Sequence, residues 1–184
     1  MEEVKHTYSP DFTDEEFEKF CKFAHSIDDA PYGLARAKAL GYDIEGLSIA
    51  PGVIISNNPR MSIGKFVRLG LYTYVSGATK IGDHVLIGPH CSIAGGNHQF
   101  NAEKGWFADR SEKDKLETSI EIGEGSWLCS NVVVVAGVKV GKCNLICAGA
   151  VVTKDTEDYA IMAGVPAKKI GYIDRETGEY VYGK

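Results

Sequence analysis

An aliphatic residue returns at every sixth position through most of this 184-residue chain. One run holds Ile63, Leu69, Val75, Ile81, Ile87 and Ile93, and a second holds Ile122, Leu128, Val134, Val140, Ile146 and Val152. A helix at about 3.6 residues per turn cannot keep such a period on one face. A hexapeptide period specifies a parallel β-helix instead. The residue after each aliphatic is mostly small (Gly64, Gly70, Ser76, Gly82, Gly88, Ala94, Gly123, Gly141). The fifth position is small or β-branched (Val67, Thr73, Thr79, Val85, Cys91, Val132, Val138, Ala150). Each hexad therefore reads as a short strand with its aliphatic inward, followed by a tight corner. Three hexads make one triangular coil, residues eighteen apart stack, and stacking builds a core that no single coil can bury.

The flanks and one interruption read differently. Thr13 and Glu16 form a capping box ahead of a helix that runs to His25. A second short helix is predicted over Pro31 to Leu40, stopping at Gly41. Hexads begin near Ile49 and Ile55, and Asn58-Pro59-Arg60-Met61-Ser62 slips the register by two. The polar stretch 99–121, with Trp106 and Phe107 at its centre, interrupts the repeat. If Ile63 opens side one, Ile93 opens side three and Ile122 opens side one again, so the insertion leaves a corner without breaking the stack. A long loop inside a compact repeat points to function, and the aromatic pair is expected to cover a surface. Near the end, Ala163-Gly164-Val165-Pro166 reads as a turn that stops the stack. Gly171 to Tyr182 reads as a hairpin bending at Glu176-Thr177-Gly178 and capping the open end. The expected architecture is an all-β solenoid. It has an N-terminal helical segment at 1–48, a β-helix at 49–170 with the loop 99–121 extruded from it, and a C-terminal tail at 171–184.

A net charge of −5 with no basic stripe argues against a nucleic-acid partner. No apolar run approaches the ~18 residues of a membrane span, and the acidic start MEEVKHTYSPDFTDEE does not read as a signal peptide. The expectation is a cytoplasmic protein. The five cysteines are odd in number and lack a framework spacing, so reduced, packed thiols are expected, with Cys129 and Cys147 stacked on adjacent coils. Among the five histidines, His6 and His25 fall outside the repeat and read as surface residues. His84 and His90 are six apart, on different sides of the triangle, and cannot share a metal within one chain. His98 stands at the last corner before the insertion, after Gly95-Gly96-Asn97, where two glycines give the backbone room for close approach. It is the candidate catalytic residue.

These residues carry a resemblance over about 79–170. Ile81-Gly82-Asp83-His84-Val85-Leu86-Ile87-Gly88-Pro89 is similar to the coil before the catalytic loop of the hexapeptide-repeat acyltransferases. Ile122-Gly123-Glu124-Gly125-Ser126-Trp127 resembles the coil after that loop, and Gly149 to Asp155 with Ala163-Gly164-Val165-Pro166-Ala167-Lys168 resembles the closing segments. The branch is that of galactoside, maltose and capsular-polysaccharide O-acetyltransferases. The resemblance implies a left-handed winding, a hand that the usual right-handed crossover rule does not supply. It implies acetyl-CoA as the acetyl donor, lying between neighbouring subunits of a homotrimer. Trp127, Ser130, Ala148, Thr153, Lys154 and Lys168 would line that groove. It aligns His98 with the family's general base, and Asn97, Trp106 and Phe107 would meet a sugar or saccharide acceptor. The Asn that this branch usually carries in the coil of Arg68 to Tyr74 is not found here, which leaves the acceptor open. Two enzyme alternatives stand beside it. One is N-acetylation of a nucleotide-linked amino sugar, suggested by Ile170-Gly171-Tyr172 and Gly178-Glu179. The other is xenobiotic (antibiotic) O-acetylation, suggested by Asn97-His98. A non-catalytic trimeric scaffold is the alternative outside enzymology. A carbonic-anhydrase-like zinc site does not fit the spacing of His84, His90 and His98.

Overall fold

Nearly every hexad forms a strand only two to four residues long, ending on or just past its periodic aliphatic. The computed structural model describes residues 13–24, 30–56, 58–109 and 118–183. The strands stack into three parallel faces of a left-handed β-helix of about six turns. Face one holds β3 (Ser62–Ile63), β6 (Thr79–Ile81), β11 (Ile120–Ile122) and β14 (Lys139–Val140). Face two holds β1 (Ser48–Ile49), β4 (Arg68–Leu69), β7 (Leu86–Ile87), β12 (Trp127–Leu128), β15 (Leu145–Ile146) and β17 (Ala160–Ala163). Face three holds β2 (Ile54–Ile55), β5 (Tyr74–Gly77), β8 (Ser92–Gly95), β13 (Val133–Val134) and β16 (Val151–Val152).

Sequence period and spatial register agree coil by coil. Ile63 pairs with Ile81, Leu69 with Ile87 and Val75 with Ile93, each eighteen residues apart. Ile81 then pairs with Ile122, so the insertion returns the chain to the face the repeat requires. Eleven of the twelve periodic aliphatics are buried and Ile63 packs at their edge. Each such burial contributes about 1.5–3 kcal/mol. The fifth-column threonines are buried with their hydroxyls satisfied: Thr73 Oγ1 donates to the Gly88 carbonyl at 3.0 Å and Thr79 Oγ1 to that of Ser76 at 2.7 Å.

The ends depart from eighteen in opposite directions. Ile49 pairs with Leu69 and Ile55 with Val75, twenty residues apart, which places the two-residue slip where Asn58 to Ser62 puts it. Ile146 pairs with Met162, only sixteen apart. The short last coil has no strand on face one. Side chains supply the acceptors that strand would have offered: Lys139 N–H donates to Asp155 Oδ1 at 2.8 Å, Gly141 N–H to Thr156 Oγ1 at 2.9 Å and Lys142 N–H to Asp158 Oδ1 at 2.8 Å. Buried Asn144 ties this coil inward, accepting the Ala160 N–H at 2.8 Å and donating to Thr156 Oγ1.

α1 (Asp14–Ala24) starts at the expected capping box, in which Thr13 N–H donates to Glu16 Oε2 at 2.9 Å and Glu16 N–H to Thr13 Oγ1 at 3.3 Å. α2 (Ala30–Ala39) lies over β1 so closely that a Cβ on Gly33 would stand 2.0 Å from Ser48 Oγ. At the other end β18 (Lys168–Ile173) folds back antiparallel to β17, and β19 (Tyr180–Tyr182) pairs with β18, giving the expected hairpin. Its bend is fixed by Asp174, whose carboxylate accepts the Glu176 and Thr177 N–H groups and the Thr177 hydroxyl at 2.9, 2.8 and 3.0 Å. Those bonds hold the carboxyl below its usual pKa range. Among the described residues no helix is long and apolar enough to cross a membrane. His6, His25 and residues 110–117 of the insertion lie outside the described residues.

Candidate active site

The insertion is more ordered than a polar loop requires. β9 (His98–Asn101) and β10 (Trp106–Asp109) form an antiparallel hairpin that leaves the edge between faces three and one. The hairpin begins at His98 itself, and Ile120 and Glu121, read as loop, already belong to face one. Upstream, β8 runs along face three to Gly95. The chain then departs through Gly96 and Asn97, whose Oδ1 accepts the His98 N–H at 2.9 Å and fixes the backbone there. The imidazole is exposed on this edge. At the tip, Asn101 accepts the Gly105 N–H on its carbonyl and the Lys104 N–H on Oδ1, both at 2.9 Å.

Trp106 and Phe107 do not cover one surface together. Neighbours in a strand point to opposite sides. Phe107 packs edge-on against Phe100 across the hairpin at 5.5 Å, while Trp106 lies on the other side, opposite Asn101. Within this chain Trp106 is 60% and Phe107 70% exposed.

The remaining candidate residues fall into two groups. Thr153 and Lys154 follow β16 on the edge between faces three and one. That is the edge His98 leaves from, two coils further on, about 10 Å along the axis at about 4.8 Å per coil. Ser130 and Ala148 stack on the edge between faces two and three, where the Gly149 N–H donates to the Ser130 carbonyl at 3.0 Å. Trp127 points out of face two beside that edge, half exposed. Lys168 opens β18 just after Ala167, whose N–H donates to the Val151 carbonyl at 2.8 Å. Face three thus separates His98, Thr153 and Lys154 from Trp127, Ser130, Ala148 and Lys168.

The other histidines have structural partners that the sequence reading missed. Corner residues along two edges hold positive φ, among them Phe66, Tyr72, His84, His90, Asn131, Cys143 and Tyr159. A non-glycine residue there costs of the order of 1 kcal/mol. Ring stacking offsets it: Phe66 lies on His84 at 4.9 Å and Tyr72 on His90 at 5.4 Å. A Cβ on Gly46 or Gly52 would strike the Phe66 or Tyr72 ring at 2.3 Å, so glycine ends each stack. His84 and His90 sit on different edges, as their spacing implied. The signal was present, since Phe66 and Tyr72 precede the two histidines by eighteen residues.

Known proteins share both pattern and fold. The chain is 29% identical over 140 residues to the galactoside O-acetyltransferase of Escherichia coli, covering 75% of this chain and 66% of that one. It is 33% identical over 107 residues to the galactoside O-acetyltransferase of Lactococcus lactis, covering 56% and 48%. By sequence the chain is similar to proteins named as acetyltransferases. It spans less than two thirds of the length of these two relatives. No family model matches it. Among solved structures, a serine-to-alanine mutant of AntD, an N-acyltransferase from Bacillus cereus, in complex with dTDP-4-amino-4,6-dideoxyglucose and coenzyme A, superposes with a TM-score of 0.60 at 16% identity. That match covers 70% of this chain and 71% of AntD, and it supports the fold alone.

Proposed function

We propose that this hexapeptide-repeat relative is an acetyl-CoA-dependent O-acetyltransferase acting on a hydroxyl of a sugar or saccharide, with His98 as general base. The carrying observation is where His98 sits: exposed, backbone-anchored by Asn97, on the prism edge that also bears Thr153 and Lys154. Neutral His98 accepts the proton of the acceptor hydroxyl as its oxygen attacks the thioester carbonyl. The tetrahedral oxyanion is steadied by a backbone N–H of the groove. Its collapse expels the coenzyme A thiolate, which takes the proton back from the imidazolium. Transfer is direct. Asn97, Trp106 and Phe107 border the acceptor side.

The split of the groove residues across face three supports a homotrimer. A head-to-tail cyclic assembly lays the edge between faces two and three of one copy against the edge between faces three and one of the next. Trp127, Ser130, Ala148 and Lys168 would then meet the neighbour's Thr153, Lys154 and His98 around one acetyl-CoA, with the lysines near its phosphates. The faces fit such packing. Face one carries outward Lys80, Glu121 and Lys139, with Lys80 paired to Glu121 at 3.7 Å. Faces two and three show outward Leu86, Trp127, Ile54 and Tyr74, an apolar surface of the kind that associates. Among the described residues the thiols of Cys91, Cys129, Cys143 and Cys147 form no disulfide.

The test is coenzyme A release from acetyl-CoA against hydroxyl sugars, amino sugars and nucleotide-linked amino sugars, with wild type and His98→Ala. Turnover on a hydroxyl acceptor that collapses in the variant is the expected result. Activity on amino sugars alone, retained in the variant, would replace this reading with N-acetylation. Absence of coenzyme A binding would leave the scaffold.

A further inference from the structure

Two thiols that the transfer chemistry does not use stand side by side on face two. Trp127 and Leu128 of β12 pair with Leu145 and Ile146 of β15, so the next residues, Cys129 and Cys147, occupy the next rung of the same parallel ladder. The Cys129 N–H donates to the Ile146 carbonyl at 2.9 Å, and the Cys147 N–H donates to the Met162 carbonyl at 2.8 Å, which continues the ladder through both. Leu128 and Ile146 point inward and are fully buried, so alternation turns both thiols outward, and both are partly exposed. The rung before the pair is Gly88 and the rung after it is Ala163, so the column is otherwise small. Burial raises the Cys129 thiol above its ordinary pKa, and the neighbouring Cys147 thiol adds to that rise.

Adjacent rungs lie about 4.8 Å apart. A disulfide spans Cα separations of about 4.4–6.8 Å, with its Cβ atoms near 3.8 Å. The pair therefore meets the Cα requirement and closes by a small inward lean of two parallel Cβ vectors. A bond closed this way is strained and exposed, the kind that is readily reduced again.

We propose that Cys129 and Cys147 form an oxidisable dithiol that closes to an intrachain disulfide on contact with a small-molecule disulfide. One protein thiolate attacks a sulfur of the small disulfide and expels one small thiol. The second protein thiolate attacks the resulting mixed disulfide at the protein sulfur and expels the other. Two protein thiols are oxidised, one small disulfide is reduced to two thiols, and the two protons pass to solvent or to the departing thiolates. Resting on the transferase reading, the bridge also acts on the acetyl-CoA groove, because Cys129 and Cys147 immediately precede Ser130 and Ala148. Drawing the two sulfurs together tilts that groove wall. Bound coenzyme A in turn shields the pair.

The experiment treats the full-length protein with glutathione disulfide and follows intact mass and peptide maps. Wild type, Cys129→Ser, Cys147→Ser and, as a control, Cys143→Ser are compared. The expected product is a Cys129–Cys147 bridge with loss of two hydrogens. It forms in wild type and Cys143→Ser, while each single variant of the pair stops at one glutathione adduct. Burial raises both thiol pKa values, so closure quickens as pH rises and is still quickening above the ordinary cysteine range of about 8.5. Separate glutathione adducts on Cys129 and Cys147 in wild type, or no reaction at either, would overturn the proposal. Coenzyme A affinity is measured separately, on reduced and oxidised protein. A several-fold loss on oxidation is expected, and unchanged affinity would remove the coupling to the groove. If reduced protein does not bind coenzyme A, the transferase reading falls while the mass result still decides the bridge.

Discussion

The prism and the hairpin it extrudes obey opposite rules. In the prism each hexad position has a fixed destination, and the periodic aliphatics from Leu69 to Val152 are buried whatever their neighbours. In the hairpin no position repeats, and His98, Phe100, Trp106 and Phe107 all face outward. One region uses its side chains to hold itself together. The other is held mainly by backbone pairing and leaves much of its aromatic surface exposed. The contrast teaches where to test such a chain for chemistry first: where the period fails.

Four measurements sharpen or break that contrast. The largest effect is expected at His98, where alanine should lower turnover on a hydroxyl acceptor by about 10²–10⁴-fold while leaving the unfolding midpoint in place. A shift of the midpoint would make His98 part of the prism's framework. Ile93→Ala, one strand earlier on face three, should do the reverse, costing about 2–5 kcal/mol in denaturant unfolding through a cavity in the core. Alkaline stability probes the prism further. Cys91 is 1% exposed, and burial pushes its thiol up to about 11. The unfolded chain therefore releases this proton first. The contribution is constant below the ordinary value of 9.0 and is lost as pH climbs from there to about 11, by at most about 2–3 kcal/mol. A denaturant midpoint that falls more steeply over this window in wild type than in Cys91→Ala, where Cys129 and Cys147 still contribute, is the expected outcome. The smallest effect belongs to Phe107→Ala. Removing this exposed ring should cost only the worth of its edge contact with Phe100, about 0.5–1.5 kcal/mol. A larger loss would show that the hairpin is braced like the prism.

Much of this was legible in the residues. The twelve-residue aliphatic series specified the three faces, and counting hexads across the insertion returned Ile122 to the face of Ile63 and Ile81. The slip at Asn58 to Ser62, the capping box at Thr13 and the bend at Thr177 were equally plain, because each rests on local chemistry. The last coil was not, since its shortening to sixteen depends on Asp155, Thr156 and Asp158 standing in for a strand, an exchange no period encodes. Nor was the pairing inside 99–121, where Trp106 and Phe107 were read as one surface but strand alternation separates them. The stacked corners were half legible. Spacing placed His84 and His90 on different edges, but that their corners hold positive φ under Phe66 and Tyr72 follows from geometry that six-residue counting does not see.

A stack of identical coils has no natural last layer. Its exposed rung offers to an incoming chain the same parallel pairing it gave the coil before, which is the growth rule of a fibril. Here that rule is cancelled at one end. Asp155, Thr156 and Asp158 turn their own side chains onto the final free N–H groups, and β18 reverses direction beside β17. The length of the particle is thereby set by its own chain. At that end no free parallel rung is left for another copy to extend.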